Sequence, residues 1–135
     1  MRYMLLTTYA PAAFCDSPIE EWASEDISAH IDFQRALGQE LAKSGELIEA
    51  QGLTGPEAAR VVCSDGRSAP VVTDGPFVES KEFLAGYWVV DVDTAERALE
   101  IAARISAAPG PEGRPMGEYV EVREIASGPP NGDGA

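Results

Sequence analysis

Basic residues are scarce in this sequence, which has 10 Lys and Arg against 23 Asp and Glu and a net charge of -13 at pH 7. A surface of that sign repels phosphate backbones, so the composition argues against binding to DNA or RNA. The ordinary role of such a charge is solubility. An anionic small molecule, in contrast, needs a local cation before it can approach a protein of this charge.

Cysteine and histidine are rare as well, with two Cys and one His in 135 residues. Cys15 and Cys63 lie far apart, without a second Cys or His at metal-ligand spacing, and we interpret both as reduced thiols. A single His and no clustered triad argue against zinc or non-haem iron. Glycine-rich nucleotide-binding, Walker and GxSxG motifs are missing. We therefore expect neither a metal nor a cofactor.

Long apolar runs are also missing. The first ten residues, MRYMLLTTYA, are too short for the apolar region of a signal peptide, and no run approaches the roughly 20 apolar residues of a membrane span. We predict a cytoplasmic protein with no membrane contact. Its length indicates one domain, residues 1–126, and the following SGPPNGDGA, residues 127–135, is predicted to be a disordered tail.

Hydrophobic periodicity predicts six strands and two helices. The strands are Arg2–Tyr9, Glu46–Leu53, Ala59–Ser64, Pro70–Thr73, Phe83–Asp91 and Glu118–Ile125. One helix runs from an N-cap at Ser24 to about Ser44, and the other begins at Asp93 with a capping box to Glu96. This order predicts an α+β fold, the ferredoxin-like β-α-β-β-α-β plan with an inserted hairpin and both helices on one face of the sheet.

The first predicted strand is apolar on both faces, which is typical of a central strand covered on both sides. The two helices cover one face, and the chain offers no further helix for the other. A second copy of the sheet is the natural cover, so we predict a homodimer with facing sheets.

Three stretches resemble a known family. The run VTDGPFVESKEFLAGYWVVDV from Val72 to Val92 is similar to the signature of DGPF-domain proteins, a branch of the YCII-related family. MRYMLLTTY and the SAHIDFQRAL around His30 are similar to that family too, and the resemblance covers residues 1–126. It implies a dimeric ferredoxin-like α/β barrel and an active site with a His and an Asp that supports lyase-like or dehalogenase-like reactions. DGPF proteins also resemble accessory proteins of alternative sigma factors.

His30 is the candidate acid or base. It falls near the middle of a helical stripe formed by Ile27, Phe33, Leu37 and Leu41, so it faces inward. One interpretation is a core histidine satisfied by a backbone carbonyl or by Gln34. The other is a general acid/base, which needs a carboxylate opposite the ring to support its charged form.

Asp74 matches the acid of the implied pair. It precedes Gly75-Pro76, where it can hold a turn by accepting backbone hydrogen bonds, or it can orient His30. Lys81 and Arg123 are the candidate cations for an anionic group, and solvated surface charge is the alternative for both. Phe77 anchors its loop or stacks on a ligand. Tyr87 and Trp88 point to opposite faces, one toward the helices and one toward the space between subunits.

These observations lead to two hypotheses. The first is a cofactor-independent enzyme or binding protein for a small anionic organic compound, with lyase-type or isomerase-type chemistry. His30 and Asp74 are its catalytic residues, and Lys81, Arg123, Phe77 and Tyr87 contact the substrate. The second is a regulatory protein without catalysis, which binds a sigma factor or another protein partner through its acidic surface.

Overall fold

The computed structural model describes residues 1–74 and 84–127. Six strands and two α-helices form this part of the chain. They are β1 Arg2–Thr8, α1 Ser24–Lys43, β2 Leu47–Gly52, β3 Arg60–Cys63, β4 Val71–Asp74, β5 Leu84–Asp91, α2 Ala95–Ser106 and β6 Glu121–Glu124. The predicted start of the fifth strand at Phe83 and the tail from residue 128 onward lie outside the described residues.

The main sheet has four strands in the order β2-β5-β1-β6, and every neighbouring pair is antiparallel. β1 and β5 are the central strands, with Leu5 opposite Trp88 and Tyr3 opposite Val90. This order with one helix after β1 and one after β5 is the ferredoxin-like arrangement. The predicted fold class is therefore confirmed.

Both helices pack on the same face of the sheet. Side chains from β1, β5, α1 and α2 form one buried cluster, in which Leu5, Leu41, Val90 and Ile101 are completely buried. Burial of an aliphatic side chain of this size contributes about 1.5–3 kcal/mol relative to leaving it exposed. These four residues hold the helices against the central strands.

The other face of the sheet carries the alternate residues of the same strands. Met4, Leu6 and Tyr87 are half-buried there, while Trp88 belongs to the core beneath the helices. Arg123 pairs with Met4 and Glu121 with Leu6, so both charged residues lie on this face. Within the described residues no helix packs against it.

The helix ends differ from the prediction. Ser24 is the first residue of α1 rather than its N-cap, which is Ala23. α2 is capped by the Thr94 side chain, which accepts a hydrogen bond from the Arg97 amide at 3.1 Å. The predicted capping box at Asp93 was therefore one residue early, and the cap is Thr94, although Thr ranks below Asp as an N-cap residue.

One stripe of α2 is buried. It consists of Ala98, Ile101, Ala102 and Ile105, whereas Leu99 is 57% exposed. Steps of one, three and four residues keep the buried positions on one side of the helix, which packs on the sheet.

β3 and β4 form a separate two-stranded hairpin. Its turn is held by Asp65, whose Oδ1 accepts hydrogen bonds from the amides of Arg67 and Ser68 at 2.9 and 2.8 Å. Val62, Val71 and Val72 on the hairpin are all more than half exposed. The inserted hairpin is thus a local unit that does not pair with the main sheet.

One ion pair ties the start of β2 to α2. The Arg97 guanidinium donates to the two carboxylate oxygens of Glu46 at 2.8 and 3.0 Å, and Ser44 donates to Glu46 at 2.8 Å. These hydrogen bonds lower the pKa of Glu46 to about 2. The backbone oxygen of Glu46 also accepts from the Asp91 amide of β5 at 2.8 Å. Glu46 therefore links an edge strand, the central strand and a helix.

We expect Glu46→Gln to lower the free energy of unfolding by about 1–2 kcal/mol at neutral pH, between the values for exposed and buried ion pairs. The folded-state pKa is lowered from 4.5 to about 2, so the stabilisation is complete above pH 4.5 and is lost as the pH falls toward 2. Denaturation curves of both proteins at several pH values measure the difference. Glu57→Gln, at an exposed position, is the control. A difference that stays constant at acidic pH would contradict this account.

Candidate functional site

A cavity of about 930 Å³ opens where β1 and β2 end and β5 begins. α1 forms one wall, the segment from Ala10 to Trp22 forms another, and Met116 and Glu118 close a third side. Its volume lies within the range of about 300–1,000 Å³ that is typical of small-molecule sites. The lining residues with chemically functional side chains are Thr7, Thr8, Tyr9, Cys15, Asp16, Ser17, Trp22, His30, Gln34, Arg35, Gln51, Tyr87, Trp88 and Glu118.

α1 contributes one continuous strip to the cavity. The strip consists of His30, Ile31, Gln34, Arg35 and Gly38. Steps of one, three and four residues keep these positions on the same side of a helix with 3.6 residues per turn. His30 lies at the edge of the strip that borders the core, and Arg35 lies at the opposite, exposed edge.

His30 is 6% exposed, and its Nδ1 lies 2.9 Å from the backbone oxygen of Pro109. A carbonyl oxygen can only accept a hydrogen bond, so Nδ1 carries the proton in this contact. The other ring nitrogen, Nε2, makes no hydrogen bond with any described residue. Every fully buried side-chain N or O in this part of the chain has a hydrogen-bond partner, so Nε2 is not fully buried. Because His30 lines the cavity, we interpret Nε2 as reachable from it, with its lone pair available when the ring is neutral.

Trp22 supports the ring from the side. Its indole meets the imidazole edge to face, with centroids 5.5 Å apart and planes at 84°. The indole Nε1–H donates to the Ser17 backbone oxygen at 3.2 Å, which holds the Trp22 side chain in place. The ring of His30 is thus fixed by one hydrogen bond and one aromatic contact, both from loops.

The carboxyl group of Glu118 interacts electrostatically with His30. Burial raises the pKa of Glu118, and the positive charge of His30 partly offsets that rise.

The backbone conformation of Gly117 positions Glu118. Gly117 has φ +70°, a conformation that other residues rarely adopt, and a Cβ at this glycine would come within 2.5 Å of the Phe14 ring. Backbone hydrogen bonds from Gly117 and Glu118 to the Ser106 oxygen at 2.9 and 3.1 Å complete the turn. Only glycine at 117 allows the chain to place Glu118 on the cavity in this way.

The predicted acid Asp74 lies elsewhere in the chain. It ends β4 on the separate hairpin, with a side chain that is 97% exposed and 3.9 Å from the Arg60 guanidinium. No hydrogen bond or ion pair joins it to His30 in the described residues, and it does not line the cavity. Within a single chain, the structure does not bring Asp74 and His30 together.

The predicted ligand contacts are distributed over different places. Tyr87 lines the cavity, and its hydroxyl donates to Glu49 at 3.3 Å. Arg123 is exposed on β6 and lies 3.6 Å from Glu121, away from the cavity wall. Lys81 and Phe77 lie outside the described residues. Of the two predicted ligand contacts that the structure describes, Tyr87 lines the cavity and Arg123 does not.

Sequence reasoning missed Glu118 and Arg35 as site residues. Glu118 was assigned to the last strand, but it precedes β6 and belongs to the loop after α2. The helical wheel that placed His30 and Gln34 also places Arg35 and Gly38 beside them, so it contained the information needed to find Arg35. Nothing in the local sequence around Glu118 indicates that it lies near His30.

Within residues 1–74 and 84–127, no group of three or more His, Cys, Asp or Glu side chains is arranged to hold a metal ion. In the same part of the chain, neither helix has the length and apolarity that crossing a bilayer requires. The cavity offers acid and base groups, one guanidinium and aromatic surface. This set can bind a small organic molecule and transfer protons on it.

Comparison with known proteins identifies a family and a relative. The YCII-related domain matches residues 1–125. An uncharacterized protein of Rhizobium meliloti (strain 1021) is 27% identical over 119 residues, which cover 87% of this chain and 91% of the relative. The match to the domain spans every element of the fold described above.

Glu118→Gln tests the burial of the Glu118 carboxyl. Because its pKa is raised in the folded protein, the wild-type free energy of unfolding falls as the pH rises from the unfolded value near 4.5 through the folded value. The amide cannot titrate, so we expect Glu118→Gln to become more stable relative to the wild type over that pH range. Denaturant unfolding followed by circular dichroism measures this difference. A difference that does not change with pH for Glu118→Gln would contradict the assignment.

Proposed function

The chain belongs to the YCII-related family, and we propose that it is a cofactor-independent enzyme or binding protein for a small organic compound, with its site in the cavity beside α1. The observation that carries this proposal is the hydrogen bonding of the two ring nitrogens of His30. The Pro109 oxygen holds one ring nitrogen, and the other faces a cavity of about 930 Å³ and has no hydrogen-bond partner among residues 1–74 and 84–127. The tetrapeptide from Asp74 to Phe77 supports a place in the DGPF branch of the family.

The chemistry that we propose is proton transfer. A neutral imidazole with its proton on Nδ1 can accept a proton at Nε2 from an O–H or an activated C–H of the ligand. The same nitrogen can return the proton to another atom of the ligand, which completes an isomerisation, or to a leaving oxygen, which completes an elimination. Neither reaction needs an external oxidant or reductant. Glu118 supports the charged ring between these steps, since opposite charges stabilise each other.

The role proposed for Asp74 changes in this arrangement. The Pro109 oxygen does the work of orienting the ring that a carboxylate does in other His-containing sites. We retain Asp74 as a hypothesis for a dimer, in which the exposed hairpin of one copy reaches the cavity of another. Lys81 and Phe77 follow Asp74 in the chain and share that hypothesis, while Arg123 is proposed for the face between the two sheets.

We also propose that the protein is a homodimer with facing sheets. The face of the sheet opposite the helices carries Met4, Leu6 and Tyr87, which are only partly buried in the single chain. Apolar side chains on an uncovered sheet face favour a protein partner. A second copy of the same sheet matches that face in size and character.

The test follows the only imidazole in the chain by NMR while a library of small neutral and charged fragments is added. We expect a subset of fragments to shift the ring Cε1–H resonance of His30 together with the indole N–H resonances of Trp22 and Trp88.

The substitution His30→Gln tests catalysis. The Gln side chain can still donate to the Pro109 oxygen, so we expect the fold to persist. Turnover of any substrate should fall by at least about a hundredfold, the usual contribution of acid-base catalysis.

Asp74→Asn serves as the matched comparison, because it neutralises the other catalytic candidate without touching the cavity of its own chain. If no fragment shifts the His30 resonance, the cavity is not a ligand site. The alternative, a regulatory protein that binds a transcription factor through its acidic surface, predicts instead a complex that weakens as salt is added and that ignores His30→Gln.

A further inference from the structure

Arg35 differs from most other arginines of this protein. Arg60, Arg97, Arg104, Arg114 and Arg123 each form an ion pair with a carboxylate. Arg35 lines the cavity and makes no hydrogen bond or ion pair with any described residue, although the carboxylates of Asp16 and Glu118 line the same cavity. Among the described residues, it supplies the only Lys or Arg on the cavity wall. The chain as a whole has a net charge of -13 and repels anions. The positive charge of Arg35 attracts an anionic ligand to the cavity.

Aromatic residues contribute to the remaining wall. Both tryptophans of the sequence, Trp22 and Trp88, line the cavity, each with 8% of its surface exposed, and Tyr9 lines it just after β1. Rings prefer offset or edge-to-face contacts with other flat π systems over contacts with saturated groups of equal area. The wall is therefore suited to a planar ligand body.

Gly38 lines the cavity between the Arg35 guanidinium and the aromatic residues of the wall. It lies in the interior of α1, on the strip that begins at His30, and it lines the cavity. A Cβ built at Gly38 would touch only the Trp88 ring, at 4.0 Å, and nothing else within that distance. Glycine in a helix interior is unfavourable relative to other residues. Its presence here leaves space beside Trp88 that any larger side chain would fill.

From these observations we infer that the ligand of this cavity is a planar carboxylic acid. Its carboxylate pairs with the Arg35 guanidinium, and its unsaturated or aromatic body lies against Trp88 and Trp22, with His30 Nε2 within reach. A guanidinium matches a carboxylate with two parallel hydrogen bonds, which selects this anion by shape as well as by charge. The inference rests on the proposed function and adds the chemical class of the ligand.

Three probes test the two parts of the inference separately. Benzoate is planar and anionic, benzamide is planar and neutral, and cyclohexanecarboxylate is anionic but not planar. Because both tryptophans line the cavity, quenching or enhancement of tryptophan fluorescence reports binding of each probe. We expect benzoate to bind about tenfold or more tightly than benzamide, the scale of one charge-assisted contact, and also more tightly than cyclohexanecarboxylate.

Arg35→Gln is the decisive variant. We expect it to weaken benzoate to the level of benzamide and to leave the affinity for benzamide unchanged. Arg67→Gln removes the same charge from the exposed turn of the hairpin and should leave all three affinities unchanged, which separates a contact from a general field effect. Equal affinity of the wild type for benzoate and benzamide, or unchanged benzoate binding in Arg35→Gln, overturns the inference but leaves a ligand site in place.

Gly38→Leu locates the binding. Leu is favourable in a helix, so the variant should fold with wild-type far-ultraviolet circular dichroism. Because its side chain fills the space beside Trp88, we expect all three probes to bind at least about tenfold more weakly, the scale of a contact worth roughly 1.4 kcal/mol. Unchanged binding would place the probes elsewhere and overturn the inference. If none of the probes binds the wild type and no fragment shifts the His30 resonance, both the inference and the proposed function fail.

Discussion

The pairing of β1 with β5 is the constraint on which the rest of the molecule depends. These two strands are the centre of the sheet, and Leu5 and Val90 on them are completely buried. Since side chains alternate along a strand, the register that buries these residues also fixes where their neighbours point. Trp88 is directed under the helices and Tyr87 to the opposite face by the same pairing. A slip of one residue would exchange the core for the surface and remove the cavity wall.

The cavity lies where this central pairing ends. At the end of β1 the register with β5 shifts between Thr7 and Thr8, and the sheet leaves space that α1 and two loops enclose. The site is therefore built from sheet and helix on one side and from loops on the other. His30 lies on the helix, whereas the groups that hold its ring, Pro109 and Trp22, come from the loops. The position of the imidazole thus depends on both parts of the site.

Local patterns in the sequence were enough for the fold but not for the partners of the site residues. Alternation along the strands and the stripe of α1 are properties of neighbouring residues, so the elements and the inward direction of His30 were predictable. The contact between His30 and Pro109 joins residues 79 positions apart, and Asp74 lies on a hairpin whose place relative to the sheet no periodicity encodes. Glu118 was missed for the same reason, because the turn at Gly117 decides where it lies.

The hydrogen bond from His30 to a backbone oxygen has a consequence for how the site tolerates genetic change. A carboxylate that orients a histidine can be lost through a single codon, but a peptide oxygen is present whatever side chain the residue carries. Substitutions at Pro109 can move this acceptor but cannot delete it. The tautomer of the ring therefore does not depend on the identity of the side chain at position 109, and a substitution there affects it only by displacing the backbone.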